Sequence, residues 1–138
     1  MFAPPKEEGG QLISRLYTPV SPINQKGSVV FVIKVYSCCD EFPDGGYVSQ
    51  YLQTLKVGDK VTMEGPMGKL KYIGDGNFIK LGKPLKATKL GFIAGGSGIT
   101  PVYSIMNSMR LAKDTSCDVK FLYTNKTAAD ILIKEELD

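Results

Sequence analysis

Three glycines within four residues, Gly95-Gly96-Ser97-Gly98, stand between an apolar run and a helical pattern. No other feature limits the folds open to this chain so strongly. Lys89 to Ala94 reads as a short apolar strand, and Thr100-Pro101 opens a helix running to about Ala112. Thr100 suits the N-cap and Pro101 the first helical position, where a missing N–H costs nothing. Val102, Ile105, Met106 and Met109 share one helical face. Asp118 to Thr124 is a second strand, and Thr127 with Asp130 predicts a capping box for a last helix through Leu137. Strand, helix and strand in this order imply a βαβ unit and a parallel sheet. A glycine loop that follows a strand and opens a helix is built to bring backbone N–H groups close to a phosphate or a ring. It is neither GxGxxG nor a P-loop, because the P-loop lysine is missing.

The first half follows another pattern, with short strand-like runs broken by glycine and proline. Gln11 to Tyr17 is one run, and Ser28 to Tyr36 is the clearest, a β-branched and aromatic block expected to be buried on both faces. Asp59 to Glu64 is a further strand, and Lys69–Ile73 with Asn77–Leu81 flank a Gly74-Asp75-Gly76 hairpin turn. Tyr47 to Leu55 carries apolar residues at helical spacing. Short strands with one helix suggest a small antiparallel barrel. The pattern changes near residues 82–88, where Gly82, Lys83, Pro84 and Lys86 read as a polar linker. The expected division is therefore an antiparallel β-barrel over 1–86, followed from 87 to 138 by the first part of an α/β lobe.

Composition narrows the chemistry. With 43% apolar and 22% charged residues, the 138-residue chain can bury a core. Its net charge of +3 is spread without a basic cluster, which argues against nucleic acid. Histidine is absent, which removes the usual general base and most zinc sites. Chemistry must come from other side chains or from a cofactor, and no metal site is expected. Cys38, Cys39 and Cys117 lack framework spacing and point to reduced thiols in a cytosol-like compartment. The N-terminus is too polar and proline-rich for a signal peptide, and no apolar stretch nears the ~18 residues of a membrane span.

Two more motifs carry chemistry. Arg15-Leu16-Tyr17-Thr18-Pro19-Val20-Ser21 places a guanidinium, a phenol and a hydroxyl where an anionic planar ligand would meet all three. A strand ending in a Thr-Pro turn with an exposed arginine is the plainer alternative. Gly45-Gly46-Tyr47-Val48-Ser49 leaves amides open at a helix start, which suits an anion, although ordinary helix capping explains it nearly as well.

Taken in order, RxYTPxS at Arg15–Ser21, VIKVY at Val32–Tyr36, GGxxSQYL at Gly45–Leu52, GPxGxxxY at Gly65–Tyr72 and GGSGITP at Gly95–Pro101 resemble the cytochrome b5 reductase family. The flavin domain of plant-type nitrate reductase is similarly close. Tyr123-Thr124-Asn125-Lys126-Thr127 and Asp130-Ile131-Leu132 are also similar to that family. The resemblance implies a six-stranded antiparallel barrel that binds FAD, then an α/β lobe that binds NADH or NADPH. It assigns the FAD pyrophosphate to Arg15 and the amides around Gly46, Tyr47, Val48 and Ser49. It places Leu16, Tyr17 and Thr18 at the isoalloxazine, and Val32, Lys34 and Tyr36 along the ribityl and phosphate region. Thr18 and Lys34 stand at the reacting centre by this analogy, and Gly95, Gly96, Ser97, Thr100 and Pro101 form the nicotinamide loop. Hydride passes from NADH to the flavin and single electrons to a haem protein such as cytochrome b5, so no side-chain acid or base is required. A cytosol-facing place on the endoplasmic reticulum or mitochondrial membrane is implied in the same way.

Three departures accompany the likeness. Leu16 stands where the family has proline, and Tyr47 and Val48 where lysine and methionine are common. The family's first barrel strands are expected before Met1, and its later cysteine–glycine–proline motif beyond Asp138.

Overall fold

The computed structural model describes every residue from Met1 to Asp138. Two compact units emerge: Met1–Tyr17 with Ile33–Pro66, and Thr18–Val32 with Met67–Asp138. Antiparallel pairing dominates the earlier chain and parallel pairing the later. No helix is long and apolar enough to cross a membrane.

In the first unit, β1 (Phe2–Ala3) pairs antiparallel with β2 (Ile13–Ser14). The helix α1 (Tyr47–Thr54) ends one residue short of the expected Leu55. Val48 of α1 and Ala3 of β1 are this unit's buried apolar residues. Full burial of a valine side chain contributes roughly 1.5–3 kcal/mol. The long run Gln11–Tyr17 contracts to β2 alone.

The block from Ser28 to Tyr36 is not a strand. Val29, Val30 and Tyr36 are exposed, and no residue of the block is buried, against the expectation of two covered faces. Its backbone groups find irregular partners instead of a ladder. Val20 N–H donates to Val30 O at 2.9 Å, Val30 N–H to Ser21 Oγ at 3.1 Å and Tyr36 N–H to Ser49 Oγ at 3.1 Å. Asp59–Glu64 is likewise irregular, tied through Phe2 N–H to Thr62 O at 3.1 Å. The antiparallel pairings form two separate sheets, one of two strands and one of three, in place of the six-stranded barrel expected.

The second unit holds the expected hairpin, β3 (Leu70–Gly74) against β4 (Asn77–Lys80), around the Asp75-Gly76 turn. A third strand, β5 (Lys83–Lys86), extends this sheet where a linker was expected. Pro84 is tolerated because β5 is an edge strand, with no neighbour on its outer side to need that N–H. Phe78 is buried, with the Tyr72 ring tilted against it at 5.2 Å.

The parallel pair follows the sequence closely. β6 (Lys89–Gly95) and β7 (Asp118–Thr124) run from Lys89↔Asp118 to Gly95↔Thr124, joined through α2 (Ile99–Leu111). Ile99 is fully buried, with Ala94 and Met109 also in the core. The helix starts one residue earlier than Thr100, so Gly98 is the N-cap, Thr100 lies in the first turn and Pro101 is the third helical residue. At the far end the capping box of Thr127 and Asp130 is present, but it closes only a short 3₁₀ turn, Ala128–Asp130. Ile133 turns left-handed (φ 49°), and a separate short helix α3, Lys134–Leu137, follows.

The base of this unit is tied by Asp114, just past α2. Its Oδ2 accepts from the Tyr72 hydroxyl and, at 3.3 Å, from Gly76 N–H, while Oδ1 accepts Ser116 N–H at 2.8 Å. Hydrogen bonds from Ser116 and Tyr72 hold the Asp114 carboxyl well below the usual carboxylate range. Burial and the Asp114 bond push the Tyr72 phenol well above its ordinary value. Across the neutral range the pair is therefore a phenol donating to a carboxylate.

Candidate functional site

In the first unit the candidate residues gather around the start of α1. Gly46 N–H donates to Tyr36 O at 2.7 Å, and Gln50 Nε2 donates to the same carbonyl at 3.1 Å. Ser49 Oγ accepts Tyr36 N–H and donates to Gly46 O at 2.8 Å. Both polar groups of the Tyr36 backbone are thus satisfied by the helix start. The paired glycines follow from this closeness. A Cβ at Gly45 would stand 2.6 Å from Tyr36 O and 3.0 Å from Cys38 N, and its φ is +59°. A Cβ at Gly46 would stand 2.6 Å from Ser49 Oγ. These glycines allow Tyr36 to lie against the start of the helix.

The arrangement leaves α1 ready for an anion. Its N-cap is a glycine with no side-chain cap, and its first turn contains no acidic residue. Val48 and Ser49 have buried side chains, so toward a ligand they offer backbone N–H groups. Two cations lie over aromatic rings of this region: Lys34 Nζ is 5.8 Å from the Tyr36 ring centre and Lys6 Nζ 5.3 Å from that of Tyr47. The Tyr47 hydroxyl donates to Pro4 O at 3.2 Å, fixing its ring. Lys6 and the Pro4 carbonyl were not singled out from sequence, since nothing local links residue 6 to residue 47.

Arg15 and Tyr17 flank the exposed Leu16, which is 87% accessible. Tyr17 is half-buried, and burial raises its phenol pKa against the opposing pull of the Arg15 guanidinium. The Tyr36 phenol adds to the rise, so Arg15, Tyr17 and Tyr36 share one electrostatic neighbourhood. Arg15 is exposed, with Nη1 donating to Ser14 O at 2.8 Å. Thr18 and Val32, half-buried, fall in the second unit.

In the second unit, Gly96–Gly98 forms a 3₁₀ turn between β6 and α2. Gly96 takes φ +49°, a left-handed value that favours glycine, whereas Gly98 is right-handed helical. Gly95 and Gly98 require no unusual angle. A Cβ at Gly98 would meet nothing within 4 Å, and one at Gly95 only Thr124 Cγ2 at 3.8 Å. Internal packing therefore does not explain these two glycines, and their lack of a Cβ leaves the backbone of the turn open to close approach. The buried Thr100 donates from Oγ1 to Ser97 O at 3.3 Å, closing the turn from within, while Ser97 and Pro101 are exposed. Tyr123, which sequence reading passed over as a strand residue, anchors the loop. Its hydroxyl donates to Gly96 O at 3.0 Å and accepts Leu132 N–H at 3.2 Å.

Two family models match successive parts of the chain. Residues 4–72 match the model of the oxidoreductase FAD-binding domain, and residues 92–138 that of the oxidoreductase NAD-binding domain. The chain belongs to the oxidoreductase FAD-binding domain family. FAD and a nicotinamide dinucleotide are accordingly the cofactors of these domains. The chain is 40% identical over 131 residues to nitrate reductase [NADH] of Cucurbita maxima and 43% identical over 130 to nitrate reductase [NADH] 1 of Nicotiana tabacum. Those alignments cover 94% and 93% of this chain but 14% of each relative. The crystal structure of the cytochrome b5 reductase domain of Ulva prolifera nitrate reductase superposes with a TM-score of 0.88 at 33% identity. That match covers 99% of this chain and 51% of the solved one. The likeness read from the ordered motifs therefore holds, and with it the reading of an FAD-binding domain followed by an NAD-binding domain of the oxidoreductase type.

Proposed function

We propose that this chain supplies the flavin site and the nicotinamide loop of an enzyme that takes a hydride from NADH and delivers electrons to a haem protein. The observation that carries the reading is the uncapped start of α1, held against Tyr36, with Lys6 over the Tyr47 ring and Lys34 over that of Tyr36. FAD, when bound, supplies a ring that accepts a hydride and releases electrons singly. The chain's own residues bind and orient. Arg15, Lys34 and the amides of Tyr47, Val48 and Ser49 would hold the pyrophosphate, with Tyr17, Tyr36 and Val32 along the ring and ribityl chain. Leu16 and Thr18 belong to the ring-facing segment, Thr18 and Lys34 to the reacting centre. Gly95, Gly96, Ser97, Thr100 and Pro101 present backbone to the dinucleotide. The positive field of Arg15 and Lys34 favours the negative charge of reduced flavin.

The same reading assigns flavin binding to residues 1–86, as part of a six-stranded barrel, and nicotinamide binding to 87–138. A setting within a larger nitrate-reductase-like enzyme is favoured by the identity of the relatives and by the 14% of their length that the chain spans.

Arg15→Ala tests the flavin site. A charge-assisted hydrogen bond is worth roughly 1.5–3 kcal/mol, so FAD affinity is expected to fall about 10- to 150-fold. Fluorescence titration with FAD measures this, and unchanged affinity would remove Arg15 from the site.

A further inference from the structure

The Asp75-Gly76 turn holds more than its own hairpin. Ala87, two residues before β6, donates its N–H to Gly76 O at 2.8 Å. Cys117, directly before β7, donates its thiol to Ala87 O at 2.9 Å. Asp114, just after α2, accepts from Tyr72 and Gly76. The starts of both parallel strands and the end of the intervening helix therefore converge on one buried glycine, itself at φ +69°. A Cβ there would collide with Ala87 O and stand 3.0 Å from Cys117 Sγ. The glycine loop lies at the opposite end of the same strands.

We propose that Tyr72 and Asp114 are positioning residues for the Gly95–Thr100 loop, holding the βαβ unit at a fixed tilt on the β3–β4–β5 sheet. The inference rests on the reading of that loop as the nicotinamide site. Leverage gives it force. A seven-residue strand at about 3.3 Å per residue spans roughly 20 Å, so a tilt of about 3° at the base moves the loop by about 1 Å. A misplacement of that size is enough to slow a reaction that needs near-contact geometry by about 100-fold. Tyr72 and Asp114 touch no reacting atom in this account and act through the loop. Their separation of 42 residues in sequence hides the pairing from any local reading.

Tyr72→Phe keeps the ring against Phe78 and removes only the hydroxyl, while Asp114→Asn keeps shape and removes charge. In the FAD-loaded protein, stopped-flow reduction by NADH should show a limiting rate lowered about 10- to 100-fold in each variant. FAD content and the dissociation constant for NAD⁺ should stay within about twofold, and the double variant should be no slower than the slower single one. Amide hydrogen exchange over residues 95–100 should speed up about tenfold, with that of α1 unchanged. Wild-type rate and wild-type exchange in both variants would overturn the proposal. So would FAD loss in proportion to lost rate, the mark of general destabilisation. Wild-type protein that NADH cannot reduce would instead refute the nicotinamide reading. Hydrogen exchange then decides alone: faster exchange confined to the loop upholds the positioning role, and unchanged exchange refutes it.

Discussion

Gly45→Ala is expected to strip the protein of FAD while leaving the parallel βαβ unit folded. Two costs coincide at this residue. Its φ of +59° is one that an L side chain adopts at a cost of order 1–3 kcal/mol. The added methyl would also stand 2.6 Å from Tyr36 O and 3.0 Å from Cys38 N, and both are backbone atoms. Relief requires Tyr36 to part from the start of α1, breaking the 2.7 Å bond from Gly46 N–H to Tyr36 O. Losing such a bond removes roughly 0.5–1.5 kcal/mol more, so together flavin affinity should fall by about 10-fold at the least and about 2,000-fold at the most. FAD-to-protein stoichiometry after gel filtration measures the effect. Gly91→Ala is the control, because its methyl meets nothing within 4 Å and its φ is ordinary. Equal FAD content in the two variants would separate the helix start from flavin binding.

Gly98→Val should do the reverse, sparing FAD and slowing reduction by NADH about 100-fold. Gly98 has right-handed angles, φ −66° and ψ −4°, and open space where a Cβ would project. Valine therefore introduces little strain, and thermal stability should hold. A branched side chain at the N-cap would keep a dinucleotide from approaching the backbone of the turn. Displacement by about 1 Å or more slows hydride transfer by about 100-fold. NADH-driven bleaching of the flavin measures the rate, with thermal unfolding as the companion. Normal reduction by a stable Gly98→Val protein would leave that glycine without a role in the site.

The parts legible in the sequence are those whose signal is local. β7 falls at Asp118–Thr124 as expected, and β6 and α2 lie within a residue or two, because alternation, helical spacing and glycine punctuation all occur inside a short window. The hairpin of β3 and β4 is fixed by its own turn. Val29–Tyr36 misled for the opposite reason. A β-branched run favours extended backbone, but a strand also needs a partner at the right register, and here single groups from Val20, Ser21 and Ser49 take that place. Thr100 has the chemistry of an N-cap, yet its hydroxyl turns to Ser97 O and the cap passes to Gly98. Sequence order alone did not reveal that Gly45 and Gly46 are small to admit Tyr36, whereas Gly95 and Gly98 face open space.

The central claim is that these residues hold a flavin and present it to NADH. The direct measurement is anaerobic: the protein is loaded with FAD, freed of excess by gel filtration and mixed with NADH while the flavin's visible absorbance is followed. Retained flavin that bleaches with NADH, and recovers its absorbance on adding an oxidised b-type cytochrome, is the predicted result. Failure to retain FAD, or retained flavin that NADH leaves oxidised, would contradict the account.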